Sequence, residues 1–250
     1  MEVHHPHHPT HKKKWSEYII EFVMLFAAVS LGFFAENLRE HQVEKHREIS
    51  YLKNVHEDLE LDIKNIKSVI NQNTVRLKAM DTLFLYINNK TITDKDVYYY
   101  IRNLALRATF ESSHVGLDQI KSAGGLRMIK NAEIISGIQE YERMLNSNEK
   151  LESVRERTLE QARFKMAVVF DPVISYEMLS NQGDGIMRFN RPKNADPIFK
   201  NNKEAIKELL NLVTFGLNTN RYLNNRLNEL KNVGIKLNNA IIHEYGEKFD

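Results

Sequence analysis

The sequence predicts an all-α fold, an N-terminal transmembrane helix continuing into a long-helix bundle with coiled-coil-like packing. Three observations carry that prediction. The 250 residues include only ten glycines and five prolines, too little punctuation for a loop-rich fold. Beyond residue 49 the apolar side chains recur in alternating steps of three and four, the period of a helix seam. No segment of useful length shows the strict alternation of a half-buried strand.

The N-terminal element comes first. Tyr18 to Ala35 is apolar except for Glu21 and Ser30, about 18 residues and roughly 27 Å at helical rise, the short end of the spanning range. Trp15 and Tyr18 stand where an interfacial aromatic belt forms, beside the snorkelling cluster Lys12, Lys13 and Lys14. A transmembrane helix is therefore expected over residues 15–36, after a His/Lys-rich tail at 1–14 and before an extramembrane bundle at 37–250. Two competing readings exist. One is the core helix of a soluble protein. The other is a cleaved signal peptide, with Ala28-Val29-Ser30 as a loose cleavage site; the apolar run continues past it through Leu31, Phe33 and Phe34.

Orientation follows less directly. The basic cluster at 12–14 favours a cytoplasmic N-terminus, but Arg39, Lys45, Arg47 and Lys53 match it on the other side. A large distal domain is exported largely regardless of charge, so the expectation is a bacterial inner-membrane protein with a periplasmic C-terminal domain.

The first long helix carries Ile49, Leu52, Leu59, Ile63, Ile66, Ile70, Leu77, Met80, Phe84 and Ile87 at heptad spacing, with His56 and Asn73 filling the two gaps. Neither Gly nor Pro occurs from 33 to 115, so the membrane helix is expected to run into this one and to end at Asn88-Asn89. Thr93 and Asp96 resemble a capping box for a helix carrying Val97, Tyr98, Ile101, Leu104 and Leu106. Ser112 or Ser113 would cap a brief helix through Leu117 and Ile120, stopped at Gly124-Gly125. Asn131 caps the next helix, with Ile134, Ile135, Ile138, Tyr141, Met144 and Leu145 on its buried side. Its continuation through Glu149–Arg163 is charge-rich and reads as a solvated extension. Asp171-Pro172 marks a break, and 181–198 is the longest loop candidate. The last helix is expected from Asn202 to Tyr245, with Leu209, Val213, Leu223, Leu227, Leu230, Leu237 and Ile241 inward.

WSEYIIEFVMLFAAVSLGFFAENLREH resembles the anchor of a family of single-pass membrane proteins common in Bacteroidota, which open with a His/Lys-rich tail and leave the membrane through an LGFFAENxRE motif. The segment LDQIKSAGGLRMIKNAEIISGIQEYERML (117–145) is similar to the second recognisable block of that family. Together they cover about a fifth of the chain. The resemblance implies an anchor and a helical extramembrane domain; the family brings no assigned activity.

Candidate sites are few. His4, His5, His7, His8 and His11 form a tract that can ligate Zn, Ni or Cu, against the simpler reading of a tail with adventitious affinity. Ala28, Gly32 and Ala35 make a small-residue face for close helix approach, with Glu36 placed to hydrogen-bond across it. Glu21 reads as an interfacial residue, alternatively as part of an ion path. His56 is a register-setter or a pH-sensitive group. Tyr98-Tyr99-Tyr100 spreads around one helix, and His41, His46, His114 and His243 form no site spacing.

The chain lacks cysteine and has a formal net charge of +2 with both signs interspersed. This excludes disulfides and thiolate chemistry, and leaves no nucleic-acid footprint. No Gly-rich phosphate loop, HExxH or Gly-x-Ser-x-Gly is present, so neither catalysis nor a cofactor is expected. The expected role is a scaffold or docking protein on a lipid bilayer, in a homo-oligomer or with a membrane-protein partner. The alternatives are a sensor of a small molecule or metal acting through a partner, and a channel or transporter accessory subunit.

Overall fold

The computed structural model describes residues 14–89, 94–106, 108–122, 124–179, 189–194 and 203–249. They form six α-helices: α1 (Trp15–Asn89), α2 (Asp94–Leu104), α3 (Val115–Ser122), α4 (Ala132–Val169), α5 (Pro172–Glu177) and α6 (Lys203–Tyr245). The described residues contain no strand, only an isolated bridge between Leu179 and Phe189. The protein is all-α. Two compact units divide at Ile49 and Ser50.

The first unit contains the N-terminal part of α1. Its most apolar 18-residue window has a mean hydropathy of 2.1 and no buried residue, long and apolar enough to cross a membrane. Phe22, Leu25, Phe26, Leu31, Phe33 and Phe34 are each more than 60% exposed within the protein. Such a surface in water would be a large unsatisfied apolar patch; in hydrocarbon it is matched.

The second unit is a four-layer up–down–up–down bundle. α1 and α6 run antiparallel, as the pairs His56–Asn238, Asn73–Asn224 and Asp81–Arg221 establish. α4 and α6 are likewise antiparallel, with Glu133 near Lys236, Arg155 bonded to Asn220 and Lys165 to Glu208. Residues 94–122 return along α1 as the second layer, from Val97 and Ile101 packed with Met80 and Leu83 to Gln119 bonded by Asn54.

That second layer is broken. Helix α2 ends at Leu104 and α3 starts only at Val115, because Ser112 and Ser113 serve neither as helix residues nor as the caps the sequence suggested. Their hydroxyls donate to carboxylates of α1: Ser112 Oγ to Asp62 (2.7 Å) and Ser113 Oγ to Asp58 (2.5 Å). α3 then meets α1 backbone to backbone. A Cβ added at Gly116 would lie 2.5 Å from the Val55 nitrogen, so only glycine permits the approach.

Other boundaries follow local chemistry. Gly124 takes φ 63°, the left-handed conformation that ends a helix. Asn131 Oδ1 accepts from Glu133 N (2.8 Å) and Ile134 N (3.3 Å), capping α4. Asp171 caps α5 in the same way, with Pro172 at its first position. The proposed cap at Thr93 and most of the loop at 181–198 lie outside the described residues.

Burial keeps heptad spacing over all three long helices, and polar side chains take part. On α1 the buried heptad series is Leu52, Val55, Leu59, Asp62, Ile66, Val69, Asn73, Met80 and Leu83. The expected seam residues Ile63, Ile70, Leu77 and Phe84 are half-buried flanks. The stripe is thus centred half a position away from the apolar reading, because α1 faces both α6 and the second layer. On α4 the series is Ile134, Ile138, Tyr141, Leu145, Asn148, Glu152, Arg155, Leu159, Ala162 and Met166. The stretch 149–163 is therefore no solvated extension: Arg155 is fully buried.

Candidate functional site

The N-terminal candidates fall in three groups. The tract His4, His5, His7, His8 and His11, with Lys12 and Lys13, lies outside the described residues. Lys14, Trp15 and Tyr18 are exposed at the start of the apolar stretch, Trp15 at 85%. Ala28, Gly32 and Ala35 are exposed, and a Cβ at Gly32 would meet nothing within the chain. Glu36 is paired on its own helix, accepting two hydrogen bonds from Arg39, one at 3.0 Å from Nε.

The remaining histidines stay apart. His56 is half-buried, its Nδ1 2.7 Å from Asn238 Oδ1 and its ring 5.7 Å from Phe249. His46 faces the Gln42 carbonyl, His41 is near Glu44, and His114 and His243 are exposed. Among the described residues no cluster of three or more His, Asp or Glu is placed to hold a metal ion. The tyrosine run divides as its helical spread requires: Tyr98 packs on Phe170 at 4.7 Å, while Tyr99 carries the Arg191 guanidinium over its ring at 4.4 Å.

Two buried polar clusters were not visible in the sequence. In the first, Asp58 and Asp62, one turn apart on α1, hold the broken second layer. Asp62 accepts from Ser112 Oγ, Ser113 N (2.8 Å) and Tyr141 Oη (2.8 Å); Asp58 accepts from Ser113 Oγ and Gly116 N (2.7 Å). Burial raises the Asp62 carboxyl above its ordinary value, and its three donors oppose that rise. Burial and the facing Asp62 charge push the Tyr141 hydroxyl up as well.

In the second cluster Arg155 on α4 joins three elements. Its Nη2 donates to the Ala108 carbonyl (2.9 Å) and to Glu152, and its Nη1 to Asn220 Oδ1 of α6 (3.0 Å). Arg163 reaches the Ala105 carbonyl (3.2 Å) in the same manner. These guanidinium groups satisfy peptide carbonyls that the helix break leaves without intrahelical donors. Arg76 is half-buried near Arg155, and burial together with that like charge lowers its pKa.

Two surface features remain. A cavity of about 360 Å³ opens between residues 109–114 and α4, lined by Phe110, Glu111, His114, Leu145, Asn148, Glu149 and Glu152 among others. Asn148 is 4% exposed and its Oδ1 has no hydrogen-bond partner. A groove of about 620 Å³ runs between α4 and α6, where Phe164 (67% exposed) and Phe215 (58%) flank Leu212. The Lys165–Glu208 ion pair borders it.

Comparison with known proteins returns no match: no family model, curated protein or solved structure is similar to this chain.

Proposed function

We propose that the chain is a non-enzymatic, single-pass membrane-anchored scaffold, whose helical bundle docks another protein within an oligomer or envelope complex. The observation that carries this reading is the α4–α6 groove. Two phenylalanines on neighbouring helices, each more than half exposed, present a contiguous apolar surface to solvent. Patches of this kind mark protein interaction sites, and aromatic side chains, Phe among them, are enriched in such interfaces.

The α1 seam gives no support to self-association, since its heptad stripe finds partners in α6 and in residues 108–122 of the same chain. Assembly would instead use the Ala28, Gly32 and Ala35 face within the bilayer or the aromatic groove outside it. Lys12, Lys13 and Lys14 favour a cytoplasmic N-terminus, which puts the bundle in the periplasm of a Gram-negative cell.

The test is the native mass of the full-length protein extracted in mild detergent, beside Phe164→Ser/Phe215→Ser and Gly32→Leu. The reading expects a mass above the 29.3 kDa chain after allowance for detergent, reduced by one variant or the other. A monomer in all three samples would overturn it.

A further inference from the structure

The aromatic groove between α4 and α6 is one end of a longer surface. A second hollow, of about 420 Å³, opens further along the same seam, lined by Gly137 of α4 and by Val233 and Ala240 of α6 among others. The two hollows are in helical register. Gly137 and Lys165 stand four heptads apart on α4, and Leu212 and Val233 stand three heptads apart on α6. Val154 and Tyr222, one heptad in from Gln161 and Phe215 of the aromatic groove, are exposed and carry apolar surface into the interval.

Charge along this face follows a pattern. At the aromatic end Lys165 of α4 pairs with Glu208 of α6 at 2.5 Å. At the other end the signs are exchanged, and Glu133 of α4 lies 3.6 Å from Lys236 of α6. Between them Glu140 has Arg143 beside it on α4 and Arg226 across the seam, and both hold its carboxyl below the ordinary range. A face that carries both signs at each level selects no ligand of uniform charge. It is complementary to a copy of itself. A two-fold axis along the groove lays α4 of one copy over α6 of the other, so that Lys165 faces the partner's Glu208, Glu133 the partner's Lys236 and Phe164 the partner's Phe215. An axis across the groove would set the bundles in opposite directions, whereas copies anchored in one bilayer by the same N-terminal stretch enter their bundles from the same side.

Building on the docking reading, we infer that the occupant of the α4–α6 face is a second copy of this chain, joined in parallel about a two-fold axis along the groove. Such an interface has the usual anatomy, an aromatic centre with a polar rim. The exchanged ion pairs fix its register, and two-fold contact between identical surfaces is the commonest form of oligomer.

The experiment co-expresses two full-length copies that differ in tag mass, one with Lys165→Glu and the other with Glu208→Lys, and counts the pairs by native mass spectrometry in mild detergent. Expressed alone, each variant sets like charges across both symmetry-related contacts, and should self-pair at least about tenfold more weakly than wild type. Expressed together, the two reversed charges face each other with opposite sign and the two native ones do likewise, so mixed pairs should exceed their random share. The ion pair within each copy stays broken, so the recovery can come only from contact between copies. Both side chains are half-exposed, and circular dichroism verifies that the variants fold. A random share of mixed pairs, or self-pairing of the single variants at wild-type strength, would overturn the inference. Extra mass from a different protein, lost in Phe164→Ser/Phe215→Ser, would overturn it and leave the docking reading standing; monomers throughout would sink both.

Discussion

Replacing Arg155 by methionine keeps most of the side-chain volume and removes the charge. In the native bundle the guanidinium is fully buried and bonded at once to Glu152, the Ala108 carbonyl at 2.9 Å and Asn220 at 3.0 Å. Methionine withdraws the positive partner from the largely buried Glu152 carboxylate. It also removes the donor to a backbone carbonyl in a stretch without helical hydrogen bonds. Removing one member of a buried ion pair costs about 3–5 kcal/mol. Relief of the repulsion from the nearby Arg76 offsets a minor part. For a domain of this size each kcal/mol moves the melting temperature by about 2–4 °C, so the expected drop is on the order of 6–20 °C. The assay is thermal unfolding of the detergent-solubilised protein followed by far-ultraviolet circular dichroism. Adding Glu152→Gln to Arg155→Met should restore part of the loss, since the uncompensated charge is then gone. A single variant melting within about 2 °C of wild type would refute the reasoning.

Three more expectations concern other parts of the molecule. Gly116→Ala places a methyl 2.5–2.8 Å from Asn54 and Val55 backbone atoms and displaces the Gly116–Asp58 bond, so a loss of about 1–3 kcal/mol should register in a urea titration. Asp62 has a raised folded-state pKa, so its contribution is full below the ordinary aspartate range and is lost as pH rises through the folded value. Wild-type stability should therefore fall over that window relative to Asp62→Asn, and parallel melting profiles across acidic pH would show the shift to be absent. Val29→Arg, in the middle of the apolar window, costs about 2.5–3.5 kcal/mol of insertion free energy. It should raise the carbonate-extractable fraction in isolated membranes, while Trp15→Ala changes that fraction little.

The sequence revealed what local chemistry determines. The Asn131 cap, the Asp171-Pro172 break, the left-handed Gly124 and the ends of α1 and α6 each depend on a few neighbouring residues, and each was found in place. What it hid depends on partners far along the chain. Arg155 falls in the stretch that reads as solvated and Asp62 carries no signal of its own, because nothing near them in sequence indicates Ala108, 47 residues before Arg155, or Tyr141, 79 residues on from Asp62. A purely apolar seam search also skipped Asn148, Glu152 and Arg155. They nevertheless continue the alternating spacing from Ile134 to Met166 without a fault. Following the period instead of the hydrophobicity would have flagged them. The aromatic groove was missed for a related reason: Phe164 and Phe215 fall outside both heptad series, and only the three-dimensional arrangement brings them together.

The break in the second layer has a consequence for how the protein opens. A helix guards its peptide groups one turn at a time and frays from its ends. Several peptide groups between Ala105 and Gly116 are bonded instead to side chains of α1 and α4: the Ala105 and Ala108 carbonyls to arginines, the Ser113 and Gly116 amides to aspartates. Release of those few side chains would free the whole stretch together. In deuterium labelling it should behave as a single hinged panel, exchanging in one step well before the long helices on either side.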